Sequence, residues 1–134
     1  MITYQIENDL TAEEFKALLI QSTLNERRPQ ELKRLEAMVK NANLIVTARL
    51  NNQLIGVARS VTDFVYCTYL SDLAVDKSFQ KQGIGKALIQ RTKNETPEAM
   101  VILLAAPKAI NYYPHIGMEK HNGCFLLKAE NNLK

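Results

Sequence analysis

Gly83 and Gly85 mark the stretch of this sequence richest in possible chemistry: LSDLAVDKSFQKQGIGKALIQ, residues 70–90. There an apolar, strand-like run passes through a polar loop into a helix-like one. Glycines at such a junction let the backbone approach a bulky anion with no Cβ in the way. The free N–H groups of the first helical turn, at the positive end of the helix dipole, then face that anion. Lys81 and Lys86 add positive charge nearby. The implied chemistry is the cradling of a pyrophosphate, and spacing excludes two common cradles. A dinucleotide fingerprint needs a third small residue where Leu88 stands. A phosphate loop of the G-x-x-x-x-G-K-[ST] type needs glycine in place of Gln80 and a hydroxyl in place of Ala87.

Other reactive residue types are sparse. Cys67 and Cys124 lack metal-type spacing and read as small, reduced core residues. His115 and His121 have no partner spacing that suggests catalysis or metal binding, and read as surface or loop residues. No metal site is expected.

Periodicity outlines the elements that must hold the glycine loop. Residues 2–6 (ITYQI) alternate as a half-buried strand does. Thr11 with Glu14 is a capping-box signature, followed by the helical stripe Phe15, Leu18, Leu19. Pro29 suits the first turn of a second helix carrying Leu32, Leu35, Met38 and Val39. Residues 44–50 and 54–64 are predicted strands joined by a hairpin turn at Asn51-Asn52, and residues 66–75 form a further strand. A helix runs from Gly83 to about residue 93. The continuous apolar run MVILLA, residues 100–105, reads as a strand covered on both faces. A short helix around residues 108–113 ends at Pro114, and residues 117–121 and 124–128 are expected to be closing strands. The order β-α-α-β-β-β-α-β-α-β-β predicts an α+β protein with a mixed sheet, antiparallel first and parallel after.

Composition bounds the rest. At 134 residues and 46% hydrophobic, the chain fits a single domain spanning 1–134 with one core. A net charge of +3 without a clustered basic stripe argues against a nucleic-acid partner. No apolar run approaches the ~20 residues of a membrane span, and the first ten residues are not signal-like. Neither a membrane nor an exporting route is expected, and the location read from this is cytoplasmic.

Two motifs make the reading specific. Gln80-Lys81-Gln82-Gly83-Ile84-Gly85 matches the Q/R-x-x-G-x-G/A signature of the GCN5-related N-acetyltransferase superfamily, and Leu73-Ala74-Val75-Asp76 looks like the end of that family's fourth strand. Downstream, Ala109-Ile110-Asn111-Tyr112-Tyr113-Pro114-His115-Ile116-Gly117-Met118 is similar to its A-x-x-F-Y-x-x-x-G-F pattern. The resemblance covers most of the chain and is strongest over residues 44–118. It implies an acyltransferase that moves the acetyl group of acetyl-CoA to an amine acceptor by direct attack in a ternary complex. A coenzyme-A-binding sensor or subunit without catalysis is the alternative.

The resemblance also implies roles. The fourth and fifth strands, residues 67–76 and 99–105, splay apart, and the pantetheine arm satisfies the backbone left unpaired at Leu73 and Val75, with Ala74 between them. One of those amides serves as an oxyanion donor. The pyrophosphate rests on Gln82 to Lys86, within the cofactor loop Gln80, Lys81, Gln82, Gly83, Ile84, Gly85 and Lys86. Tyr113, beside the cofactor, protonates the departing thiolate or else simply packs there. Asp72 is the first candidate for the base, acting through water, or else a solvated or salt-bridged strand carboxylate. Asp63 is the second. It shares strand parity with Arg59, so that the two form either a structural pair or a substrate contact. Arg27 and Arg28 lie in the loop that lines the acceptor site in relatives, where Arg28 either grips a substrate anion or is merely solvated. Tyr66 is a further wall candidate. Family habit adds a homodimer through the C-terminal strands. One departure stands out: Ala105-Ala106-Pro107 occupies the place of an asparagine that touches the pantetheine arm in many relatives.

Overall fold

The computed structural model describes all 134 residues, which form two compact units, Met1–Leu104 and Ala105–Lys134. The first unit runs β1 (Ile2–Ile6), α1 (Ala12–Gln21), a 3-10 turn (Asn25–Arg27), α2 (Leu32–Asn41), β2 (Leu44–Leu50), β3 (Gln53–Thr62) and β4 (Cys67–Val75). A second 3-10 turn (Lys77–Phe79), α3 (Ile84–Glu95) and β5 (Met100–Ile102) complete it. The sheet order is β1-β2-β3-β4-β5, antiparallel except for the parallel β4–β5 pair. This is the mixed α+β sheet expected from the sequence.

Local signals explain the joints. Asn51 and Asn52 take φ of 50° and 70°, the left-handed pair that a two-residue hairpin requires and asparagine tolerates. Thr11 caps α1 through Glu14 N–H at 3.1 Å. The reciprocal half of the capping box is absent, because the Glu14 carboxylate is drawn away to Arg49 at 2.8 Å. Arg49 also donates to Glu7, tying the end of β1, β2 and α1 together. Pro29 precedes α2 by three residues instead of opening it; Glu31 is the N-cap.

Helices cover both sheet faces. Phe15, Leu18 and Leu19 of α1 and Leu35 and Val39 of α2 bury themselves with Ile45, Val57 and Ala74. Gly56, one residue from Val57 and so on the opposite face, receives α3. A Cβ there would stand 3.1 Å from Leu88 Cδ1 and 3.2 Å from Ile84 Cγ2. Burial on both faces is why β2 begins with five consecutive buried residues.

Several expectations are corrected. β5 is only three residues long and its Met100 and Ile102 are 58% and 42% exposed, so it is an edge strand and not a doubly covered one. Both cysteines are exposed and free.

In the second unit, a 3-10 turn (Pro107–Ala109) leads to the single-turn helix α4 (Tyr112–His115). Pro114 lies inside α4 instead of ending it, as the first turn of a helix needs no N–H there. Gly117, at φ +101°, closes α4: its N–H donates to Pro114 O and that of Met118 to Tyr113 O, at 3.1 and 2.9 Å. This is a Schellman closure, which demands the left-handed residue that glycine supplies. The two closing strands expected at 117–121 and 124–128 are not formed, and Phe125 is 90% exposed.

Candidate functional site

The first feature of the site is a parting of strands. Only Cys67, Thr68 and Tyr69 of β4 pair with β5; the six residues Leu70–Val75 continue with no neighbour on that edge. The direction of their backbone follows from two bonds. Asp76 N–H donates to Ile55 O of β3 at 2.9 Å, so Asp76 faces β3. Val75 therefore faces the other way, where Gln80 Nε2 donates to its carbonyl at 3.0 Å. Strand alternation then aims the Leu73 N–H and C=O and the Val75 N–H into the gap, and turns the Ala74 backbone to β3. Ala74 is thus a core residue, 2% exposed, and has no backbone group on the open edge.

The second feature follows β4 directly. Asp76 accepts from Ser78 N–H at 2.8 Å, folding the 3-10 turn back on itself. Gln80 ties the loop to Val75, Lys81 takes φ +64°, and Gly83 takes φ +81° as the N-cap of α3. No side chain caps that helix, and its first backbone bond is Ala87 N–H to Gly83 O at 3.0 Å. The amides of Ile84, Gly85 and Lys86 are therefore left without intrahelical partners. A Cβ on Gly83 would meet nothing within 4 Å, so this glycine is required by its φ and not by crowding. Ile84 takes part through its amide alone, its side chain being buried. Lys81, Gln82 and Lys86 are exposed around this start. An uncapped, cation-flanked nest of amides at the end of an open strand edge fits a diphosphate carried on an amide-bearing arm.

The third feature lies where β4 parts from β5. Asp72 is fully buried, and its two carboxylate oxygens accept from Nε of Arg28 and Nε of Arg59 respectively. Arg59 also donates to Met38 O at 3.2 Å and Ser71 Oγ at 3.0 Å. Arg28 donates to Arg27 O and Ser71 O, both at 2.8 Å. A water-linked base needs an open carboxylate, and this one is closed by two guanidiniums. Of the two readings of Asp72, the geometry is that of the salt-bridged strand residue.

Asp63 does not pair with Arg59. It sits in the β3–β4 turn, where its carboxylate accepts from the N–H groups of Val65, Tyr66 and Cys67 at 2.8–3.0 Å. These bonds, that of Tyr66 first, hold its pKa below the ordinary carboxylate value. The strand ends at Thr62, so parity with Arg59 no longer applies. Arg59 instead faces Asp72 across the hairpin. Placing the turn at Asp63–Tyr66 would not by itself have revealed that pair: the register from the turn sets Arg59 opposite Ser71, and the irregularity between Arg59 and Ser60, with Ser71 as the extra residue, brings Asp72 there instead. Tyr66 is 73% exposed in the same turn, and its carbonyl accepts from Met100 N–H at 2.9 Å.

In the second unit Tyr113 packs edge-on to Tyr112, centroids 5.3 Å apart at 74°. Burial, and secondarily Tyr112, pushes the Tyr113 hydroxyl pKa above 10.0, which keeps the phenol protonated. His121 Nδ1 accepts from Gly123 N–H at 2.8 Å, and His115 is exposed.

Comparison with known proteins shows the family and the fold. Residues 6–125 match the family model described as an acetyltransferase (GNAT) domain. The chain is 30% identical over 107 residues to a protein named histone acetyltransferase TAP1 from Glycine max, covering 69% of this chain and 46% of that one. It is 31% identical over 99 residues to an uncharacterized N-acetyltransferase, ycf52, from Gracilaria tenuistipitata var. liui, covering 68% and 53%. The chain thus spans about half the length of these curated relatives. Among solved structures, a GNAT family acetyltransferase from Streptococcus pneumoniae TIGR4 superposes with a TM-score of 0.78 at 24% identity, covering 97% of this chain and 100% of that one. The aminoglycoside N-acetyltransferase AAC(6')-Iy, solved with CoA, gives 0.72 at 17% identity, covering 98% and 96%. At such identities these two establish the fold.

Proposed function

The chain belongs to the GNAT acetyltransferase family, whose members use acetyl-CoA, and from that premise we propose that it acetylates a primary amine of a small molecule or peptide by direct attack in a ternary complex. The observation that carries this reading is the continuity of β4, its loop and α3. One stretch of chain presents an open strand edge and then an uncapped helix start.

When bound, acetyl-CoA supplies an activated acyl group and a thiolate leaving group. The Leu73 N–H and C=O and the Val75 N–H bind its amide-bearing arm as a neighbouring strand would, relieving the cost of unpaired backbone. The amides of Gly83 to Lys86 hold its diphosphate, with Lys81 and Lys86 lending charge. The amine's nitrogen forms the new C–N bond as the C–S bond breaks. In the role that the family resemblance gives it, Tyr113 donates its proton to the sulfur and is reprotonated from water, to which the amine's surplus proton has passed. Asp72 serves in this scheme as a positioning residue for Arg28, not as the base. The single 1–134 domain of the family is retained in this reading. The exposed, unpaired cysteines fit a reducing cytoplasm.

Calorimetry with acetyl-CoA, followed by a thiol-release assay across amines, amino acids, polyamines and peptides, tests the proposal. Saturable uptake and amine-dependent thiol release are expected. A folded protein that takes up no acetyl-CoA would overturn it, and uptake without release from any amine would leave a binding module in its place.

A further inference from the structure

We infer that Arg28, steadied by Asp72 and Arg59, is a receptor for an anionic group on the acceptor, which makes the substrate a small amine that also carries a carboxylate or phosphate. The inference rests on the acetyl-transfer reading above and adds the chemical class of the acceptor.

Charge balance is the first ground. Two guanidiniums share one carboxylate, and neither arginine has an ion-pair partner other than Asp72. Glu26 and Glu31, exposed in the same α1–α2 connection, do not reach Arg28. The triad therefore keeps a net charge of +1. The Asp72 and Arg59 side chains are 0% and 8% exposed. A positive charge left uncompensated at such depth is unfavourable, and an anion brought by a ligand relieves it.

Donor accounting is the second ground. A guanidinium has five N–H groups in a planar fork. Arg28 commits one from each nitrogen: Nε to Asp72, Nη1 to Arg27 O and Nη2 to Ser71 O. One N–H on each terminal nitrogen remains, and such a pair suits the two oxygens of a carboxylate or phosphate. Arg28 is also the outward member, its side chain 20% exposed.

Position is the third ground. Ser71 and Asp72 are the second and third residues of β4 beyond its last pairing with β5. Arg28 thus stands where the gap opens and Leu73 turns its backbone inward. An anion held there keeps its amine beside the thioester end of the gap. Arg59 and Asp72 act only through Arg28.

Matched acceptors test the inference: 4-aminobutyrate against 4-aminobutyramide, and phosphoethanolamine against ethanolamine. Thiol release is measured for each, with acetyl-CoA affinity measured separately by calorimetry. For at least one pair, kcat/KM is expected to favour the anionic member by about tenfold or more at low salt. Which pair responds distinguishes carboxylate from phosphate. Arg28→Gln should erase the preference while the acetyl-CoA Kd stays within about twofold. Arg28→Lys should keep part of it as a point charge, and serves if the glutamine variant does not fold. Equal use of both members by the wild type, or a preference that survives Arg28→Gln, would overturn the inference and leave acetyl transfer standing. If no thiol release is seen, titration of the same anionic amines into the acetyl-CoA complex decides, and no uptake overturns it. Failure of acetyl-CoA itself to bind would instead strike the underlying reading.

Discussion

Tyr113 and Asp72 illustrate how one side chain's surroundings set what it can do. Partial burial raises the pKa of the Tyr113 phenol above its ordinary value, so it still carries its proton at neutral pH and can share it with the sulfur as negative charge develops there. Tyr113→Phe should lower kcat by about 10²-fold at saturating acetyl-CoA, with affinity for acetyl-CoA little changed. Because the shift is upward, the alkaline limb of the wild-type rate should lie above the ordinary tyrosine range, and the phenylalanine variant should lack that limb. An unchanged kcat would remove Tyr113 from the chemistry. Asp72 is decided by its partners. Asp72→Asn leaves two guanidiniums facing a neutral amide, which should cost about 3–5 kcal/mol in urea unfolding. A solvated carboxylate would cost almost nothing, so a small change would refute the closed triad.

Elements carry two further consequences. Gly56 is the point where α3 approaches the sheet, with fully buried Leu88 and nearly buried Ile84 opposite. Gly56→Ala requires the Leu88 and Ile84 side-chain ends to give way by a few tenths of an ångström and should destabilise by about 1–3 kcal/mol, seen as a lowered Tm. Since α3 begins at the amide nest, the same variant should weaken acetyl-CoA binding in calorimetry. The tie between β1, β2 and α1 is sensitive to acid. Hydrogen bonding to Arg49 above all, with help from Thr47 and Gln5 and against desolvation, lowers the Glu7 pKa from 4.5 to about 2. A lowered folded-state pKa stabilises above the unfolded value and is lost as protons bind. Glu7 should therefore contribute on the order of 1–3 kcal/mol at neutral pH, lost between pH 4.5 and about 2. Glu7→Gln should be less stable at pH 7 and converge with the wild type near pH 2; parallel Tm–pH curves would contradict this.

At the scale of the whole molecule, what is left uncovered matters. Val61, Tyr69, Met100 and Ile102 are all 40–58% exposed, and in the last residues Phe125, Leu126 and Leu127 are 59–90% exposed. Apolar surface of this kind in a folded chain favours association. The dimer suggested by family habit should appear as twice the monomer mass in light scattering, and Phe125→Asp should return it to monomer. A wild type that stays monomeric at high concentration would exclude it. The sequence by itself determined the glycine loop, the helix after it, the Asn51-Asn52 turn and the alternation of strands with helices. Each follows from local chemistry: φ preferences, alternation and helical spacing act over a few residues. It did not determine where β3 turns, since Asp63 reads equally well as strand or turn until its carboxylate collects three amides. That shift, together with the extra residue at Ser71, gave Arg59 a different partner from the one expected and left the two readings of Asp72 open. Nor did it determine whether residues 117–121 and 124–128 pair, because a strand exists only when a neighbour accepts its backbone bonds. Only the tertiary structure decided those matters, because ion pairing, burial and strand partnership are relations between residues far apart in the chain.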